Sequence, residues 1–286
     1  MNRATLLVIV AYASAFVVAL IVGRTLEGFH PVLVALVADI AATVAIFSFS
    51  MAFDNSSFYD AYWSVAPPVI ALYWCRHPAA IGALSLRQSL ALLLITVWGV
   101  RLTYNWYRRW HGLDDEDWRY VDLRARSGQA WAAVNLAGIH LFPTLVVFAG
   151  LIPVYAAVTS PAPFGLLDVV ALVVTASAIA IEAGADEQLR RFLDNRSDQQ
   201  QILTSGLWGW CRHPNYLGEN LFWWGLFLFG LAALPQWWWS MAGAAAITAM
   251  FVFISVPMLD QRSLSRRPGY DEQIKRLPAL LPRLPY

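Results

Sequence analysis

The stretch TLLVIVAYASAFVVALIVG, residues 5–23, decides the class of this protein. It is 19 residues long and carries no charge, and a helix needs about 20 mostly apolar residues to cross the hydrocarbon layer of a bilayer. No small-x-small cleavage context ends it and further apolar runs follow, so it reads as a retained helix rather than a removed signal. Similar runs recur at Pro31–Phe53, Arg87–Tyr107, Trp131–Val158, Phe164–Ala183, Leu217–Leu234 and Trp237–Leu259. An eighth, Ala61–Trp74, is short and holds Pro67 and Pro68, which remove backbone donors and are expected to kink it, so residues 54–75 are placed at a site rather than against lipid. The expectation is an all-α polytopic transmembrane bundle of seven to eight spans. It forms a single integral membrane domain over residues 1–286, with N-terminal spans at 1–53 and a core at 54–286.

The whole 286-residue composition agrees: 58% hydrophobic and 14% charged, where soluble domains carry about 25% charge. The net charge of +1 argues against nucleic acid as a partner, and nothing points to an obligatory protein partner. Cys75 and Cys211 are too few for a disulfide framework or a zinc site and read as small core residues, so no metal is expected. Lys275 is the only lysine among the 20 basic residues. Fifteen of the 20 lie in three segments, 108–130, 184–216 and the tail that ends in Arg283, which two helices separate in each case. By the positive-inside rule those segments are cytoplasmic. Tryptophans at segment ends, Trp237 to Trp239 among them, read as interfacial anchors.

Polar side chains inside apolar segments are functional candidates. Tyr59, Asp60, Tyr62 and Trp63 cluster at the start of the Pro-interrupted segment, where phenols and an acid beside bulky rings suit a pocket for a flat apolar ligand. Trp98, Arg101 and Asn105 share one face of the next segment, with Tyr104 and Arg109 nearby. Glu182, Asp186 and Arg190 repeat every four residues, with Arg191 alongside. Most densely, Arg212-His213-Pro214-Asn215-Tyr216-Leu217-Gly218-Glu219 puts Arg and His before a helix that Pro214 starts, an arrangement suited to anions. The partial copy Cys75-Arg76-His77-Pro78 lacks the continuation and reads as coincidence. No GxGxxG, P-loop, GxSxG or HExxH is present, which excludes a soluble-type Rossmann site.

Through Arg212–Glu219, the tail from Ser263 to Tyr270 and on through Pro278–Pro282, Tyr59–Ser64 and Trp98–Leu102, the chain resembles the steroid 5α-reductase superfamily, particularly its bacterial membrane branch. The resemblance implies a helix bundle in the bacterial inner membrane with its cofactor loops and C-terminus cytoplasmic. It implies that NADPH reduces the conjugated carbon–carbon double bond of a lipophilic enone, typically a 3-oxo-Δ4 steroid. It implies cofactor contacts from Arg101, Asn105, Arg109, Asp186, Arg190, Arg191, Arg212, His213, Asn215, Tyr216 and Glu219. Substrate contacts are expected from Tyr59, Trp63 and Trp98. Where animal steroid reductases have a proton-donating tyrosine this chain has Trp98, and their acidic partner has only Asp60, one position out of register. The donor is therefore expected at Tyr62 or Tyr104, with Asp60 in the catalytic group. The same Arg-His-Pro-x-Tyr motif resembles isoprenylcysteine carboxyl methyltransferases, so S-adenosylmethionine-dependent methyl transfer is the alternative.

Overall fold

The computed structural model describes residues 3–76 and 85–282, so His77, Pro78 and Arg283 lie outside the described residues. Every regular element among them is helical. The chain separates into two compact units, one up to Pro161 and one from Ala162.

The first unit opens with α1 (Arg3–Thr25) and α2 (Pro31–Ala52), which pack along one another. Ala11, Ala15 and Ala42 are almost fully buried, and such small side chains let two apolar helices approach closely. A 3₁₀ turn, Ser56–Tyr59, leads into α3 (Tyr62–Arg76), and Asn55 caps it by accepting the Ser57 N–H at 2.8 Å. The helix expected to kink at Pro67-Pro68 is continuous: α3 runs through both prolines. The carbonyl of Ser64 that Pro68 leaves without its helical donor lies against Gly99 of α4 (Leu86–Arg109), where any Cβ would come within 2.5 Å of it. The Ser64 and Thr103 hydroxyls pair at 2.9 Å alongside. Gly99 thus leaves room for the backbone that the prolines displace.

The segment expected as one helix at Trp131–Val158 is three pieces. After α5 (Trp118–Ser127) come α6 (Trp131–Val134), a π-helical turn over Asn135–Leu141, and α7 (Phe142–Thr159). The Phe142 N–H reaches back five residues to the Ala137 carbonyl. Pro143 follows at once, and a proline ring clashes with the carbonyl four residues before it, so the extra residue in the turn relieves that clash.

The second unit contains α8 (Leu166–Asn195), α9 (Pro214–Ala233), α10 (Met241–Met250), a π turn over Phe251–Ser255, α11 (Val256–Arg266) and α12 (Tyr270–Arg276). The π turn repeats the logic of the first, since Val256 bonds back to the Phe251 carbonyl just ahead of Pro257. The α8–α9 pair is the closest in this unit. A Cβ on Gly218 would stand 2.6 Å from the Glu182 Cβ and 2.8 Å from the Ala178 carbonyl oxygen. Gly225 meets Thr175 in the same way one further stretch along α9.

Five helical stretches among the described residues are long and apolar enough to cross a membrane: Arg3–Thr25, Pro31–Ala52, Trp118–Thr159, Leu166–Asn195 and Pro235–Arg266. The segments expected at 87–107 and 217–234 do form helices, as α4 and α9, but fall outside that set. With 15 residues, α3 reaches only about 22 Å against a hydrocarbon layer of about 30 Å. Cys75 and Cys211 are buried free thiols.

Candidate functional site

In the first unit the α2–turn–α3 passage brings the two phenols of Tyr59 and Tyr62 into the apolar interior, both nearly inaccessible to solvent. The Tyr62 hydroxyl donates to the Asp39 carboxylate at 2.8 Å. The Tyr59 hydroxyl pairs with the Thr144 hydroxyl at 2.8 Å, and Thr144 pairs with Thr43 at 3.0 Å. Asp39 and Thr43 stand one turn apart on α2, and Thr144 lies in the first turn of α7. One turn before it, His140 in the π segment lays its ring 5.0 Å from that of Tyr59, and its Nε2 meets the Ser50 hydroxyl at 3.1 Å. These groups adjoin a small cavity whose polar end is Asp39, Tyr59, Tyr62 and Thr144, and whose apolar walls include Trp63, Pro67 and Phe148. In this state the cavity has room for about one water molecule. A larger ligand enters only if the α3 and α7 side chains part.

Of the residues expected around that pocket, Tyr59, Tyr62 and Trp63 line it, and Trp98 is fully buried behind with its ring 5.9 Å from Trp63. Asp60 is elsewhere. Its carboxylate accepts the Tyr120 hydroxyl at 2.7 Å, inside a knot that ties residues 54–60 to residues 113–124. Glu116 in that knot accepts the Ser56 N–H at 2.7 Å and pairs with Arg124 at 3.0 Å, while Asn55 donates to the carbonyls of Leu113 and Asp115. Burial, and then the nearby Asp117 charge, push the Asp60 carboxyl up to about 6. The grouping of Asp60 with Tyr62 is thus corrected: adjacent in sequence, they serve different networks, because the backbone turns between them. Tyr104 points outward, more than half exposed, with the Arg108 guanidinium 4.8 Å from its ring. It does not join the cavity, so of the two expected donors only Tyr62 lines it. Asn105 accepts from Arg108 at 2.8 Å, Arg109 is exposed, and the Nε and Nη2 atoms of Arg101 are shielded from solvent.

In the second unit Arg212 and His213 do not present an open anion site. The carboxylate of Asp260 on α11 receives the Arg212 guanidinium at 2.8 Å, His213 Nε2 at 3.0 Å and the Tyr270 hydroxyl at 2.8 Å. Arg212 also donates to the carbonyls of Ile274 and Leu277, and the backbone N–H groups of Arg212 and His213 bond to the carbonyls of Pro278 and Ala279 at 3.0 Å each. The anion expected at this helix start is therefore supplied by the protein, and the motif clamps the C-terminal segment to the start of α9. The Tyr216 ring stacks on His213, with centroids 5.6 Å apart, and touches Phe251. Glu219 is buried and accepts the Trp223 indole N–H at 2.8 Å.

The acid–arginine stripe on α8 pairs differently from its four-residue spacing. Arg190 bonds Glu187 and Asp194, and Arg191 shares Glu187. Asp186 stands instead 3.5 Å from the side-chain amide of Asn215, at the limit of a hydrogen bond. The His213 side chain does not cap α9, and the start of that helix, with Asn215 and Asp186, is the part of this unit proposed below for a polar ligand.

A family model described as a protein of unknown function, DUF1295, matches residues 46–276, and the chain belongs to that family, which is linked to steroid 5α-reductase-like proteins. An uncharacterized protein of the fission yeast Schizosaccharomyces pombe is 25% identical over 278 residues, covering 89% of this chain and 80% of its own. That relative is eukaryotic, so it lends nothing to a bacterial placement. No solved structure matches.

Proposed function

We propose that this DUF1295 protein is a membrane reductase that uses NADPH to saturate the conjugated double bond of a lipophilic enone of the 3-oxo-Δ4-steroid type. The observation that carries the reading is the Tyr62–Asp39 pair beside a cavity walled by tryptophan, proline and phenylalanine. Tyr62 at the cavity wall serves as a general acid when its hydroxyl turns from Asp39 to a bound carbonyl, and Asp39 provides the acidic partner that the sequence offered only at Asp60. The carbonyl oxygen of an enone in that cavity accepts from Tyr62 as negative charge develops on it, and Tyr62 then gives up its proton.

The residues present fit a nicotinamide cofactor in one respect and not in another. The start of α9, with Asn215 and Asp186, suits a carboxamide, and Arg190 and Arg191 lie on the same helix as Asp186. Arg212 and His213 are committed to Asp260 and are left out of the cofactor set. When bound, NADPH supplies the hydride that adds to the β-carbon. We place this end of the second unit on the cytoplasmic side, because the arginine-rich segments 184–216 and 262–276 belong to it.

Purified protein in detergent is expected to gain thermal stability with NADPH, by an increment that Asn215→Ala and Asp186→Ala reduce. Stabilisation by S-adenosylmethionine and none by NADPH would replace this reading with the methyltransferase one.

A further inference from the structure

The cavity beside Tyr62 has room for about one water molecule, so a lipophilic ligand needs it to widen, and the structure shows what holds its Tyr59 side shut. Tyr59 ends the 3₁₀ turn Ser56–Tyr59, and residues 55–59 are each at most 3% exposed. From outside, the segment 113–124 grips this turn along its whole length. Asn55 donates to the carbonyls of Leu113 and Asp115 at 2.8 and 3.1 Å, and the Ser56 N–H donates to Glu116 at 2.7 Å. The Asp117 N–H donates to the Ser57 hydroxyl at 3.0 Å, and the Tyr120 hydroxyl to Asp60 at 2.7 Å. Arg124 completes the row, 2.9 Å from Asp54 and 3.0 Å from Glu116.

The grip is polar and hinged. Leu113 packs at its head against the α1–α2 core, but no residue of α5 is buried, so hydrogen bonds and ion pairs hold the rest. An element with so little buried apolar contact is among the first to open. Gly112 with φ +115° and Gly128 with φ +50° bound the segment, and glycine takes such backbone settings at no steric cost. A Cβ on Gly128 would meet nothing within 4 Å, so that glycine answers to the backbone and not to crowding. One such residue at each end gives the segment two points about which to swing. On its inner side the turn is bonded separately, the Ser56 hydroxyl to Asn135 at 3.3 Å, the Phe58 carbonyl to the Tyr12 hydroxyl at 2.9 Å and Tyr59 to Thr144 at 2.8 Å.

We propose that residues 113–127 form a latch, hinged at Gly112 and Gly128, whose release from residues 54–60 frees the Tyr59 turn and opens the cavity to a lipophilic ligand. The structure shows the latched state. The proposal rests on the reductase reading in taking this cavity as the place where the ligand meets Tyr62. Closing again behind the ligand keeps water from the reacting carbonyl, which strengthens the hydrogen bond that Tyr62 makes to it.

The test reads the opening of the cavity without requiring turnover. Full-length protein in detergent, with Cys75→Ala and Cys211→Ala, carries Thr144→Cys at the cavity wall, and the small reagent methyl methanethiosulfonate reports how often that thiol is reached. Gly128→Ala strains the latched backbone without touching any contact of the turn, and Tyr120→Phe deletes one bond across the latch. Each is expected to raise the labelling rate by at least about fivefold. Each is also expected to speed progesterone association, followed by tryptophan fluorescence, by a similar factor. Labelling unchanged in both variants would overturn the latch, and so would faster labelling with progesterone association unchanged. Hydrogen exchange provides a second measurement on the chain without the added cysteine. The Ser56 and Asp117 amides, both bonded across the latch, are expected to lose protection together in Gly128→Ala, and independent exchange at the two would overturn the proposal. Faster labelling in a protein that binds no lipophilic enone refutes the reductase reading and leaves the latch standing.

Discussion

Replacing Asp260 by alanine should loosen the C-terminal clamp of the second unit, and the structure sets the size of the effect. The Asp260 carboxylate receives Arg212 through two nitrogens at 2.8 and 3.3 Å, His213 at 3.0 Å and Tyr270 at 2.8 Å, with about a tenth of the Arg212 side chain exposed. Removing one partner of a buried ion pair costs about 3–5 kcal/mol, because the other charge stays buried without compensation. Arg212 keeps the carbonyls of Ile274 and Leu277, so the lower end, about 3 kcal/mol, is expected. The loss should appear as a lower unfolding temperature in detergent. It should also appear as faster tryptic cleavage after Lys275 and Arg276, since α12 and the segment beyond it are held through Arg212 and His213. A double variant, Arg212→Met with Asp260→Leu, removes both charges and should recover more than half of the loss. An Asp260→Ala protein with an unchanged midpoint and an equally protected tail would refute the clamp.

Gly218→Ala should cost about 1–3 kcal/mol, because the added methyl meets the Glu182 Cβ at 2.6 Å and the α8 backbone at 2.8 Å, and thermal unfolding reads the loss. Asp60 gives a pH signature. Its folded carboxyl titrates at about 6 against 3.8 when unfolded, so the folded state binds the proton more tightly. Its contribution to stability is full below about pH 4 and is lost as the pH rises to about 6, a change of about 3 kcal/mol. Asp60→Asn keeps an acceptor for Tyr120 and should gain stability relative to wild type across that window, whereas a constant difference from pH 4 to 7 would contradict the burial argument. Asp39→Asn should cut enone turnover by about 10²-fold or more without changing the NADPH-induced stabilisation, as measured by steady-state assay and melting.

The helical membrane class was legible from apolar runs alone, because lipid forces every backbone group to bond within its own helix. The boundaries were not. Both π turns are set by a proline that follows, at Pro143 and Pro257, and the signal was visible but was read as ordinary helix. Pro67 and Pro68 drew attention as a break, yet Gly99 on the neighbouring helix accepts the displaced backbone, and such compensation depends on which helices meet. In the candidate site, Tyr59, Tyr62 and Trp63 were found from aromatic company around polar groups. Asp39 was missed although it is a lone acid in a 22-residue apolar helix, the kind of signal that intramembrane charge provides. Thr43 and Thr144 carry no such mark, since threonine is common in membrane helices and their pairing spans 101 positions of chain. The Arg212–His213 reading failed for a related reason: Asp260, 48 residues from Arg212, was not visible as the anion that fills the site.

The central claim, that Tyr62 protonates an enone reduced by a nicotinamide hydride, is tested most directly by isotope placement. Purified protein is given progesterone with NADPH deuterated at the transferable C4 position, and in a parallel run unlabelled NADPH in D₂O, and the products are read by mass spectrometry and NMR. The account predicts one deuterium at the β-carbon from the cofactor, one at the α-carbon from solvent, and turnover lowered by about 10²–10⁴-fold in Tyr62→Phe with NADPH-induced stabilisation intact. Saturated product formed equally well by Tyr62→Phe, or no reduction of any lipophilic enone by wild-type protein that binds NADPH, would contradict it.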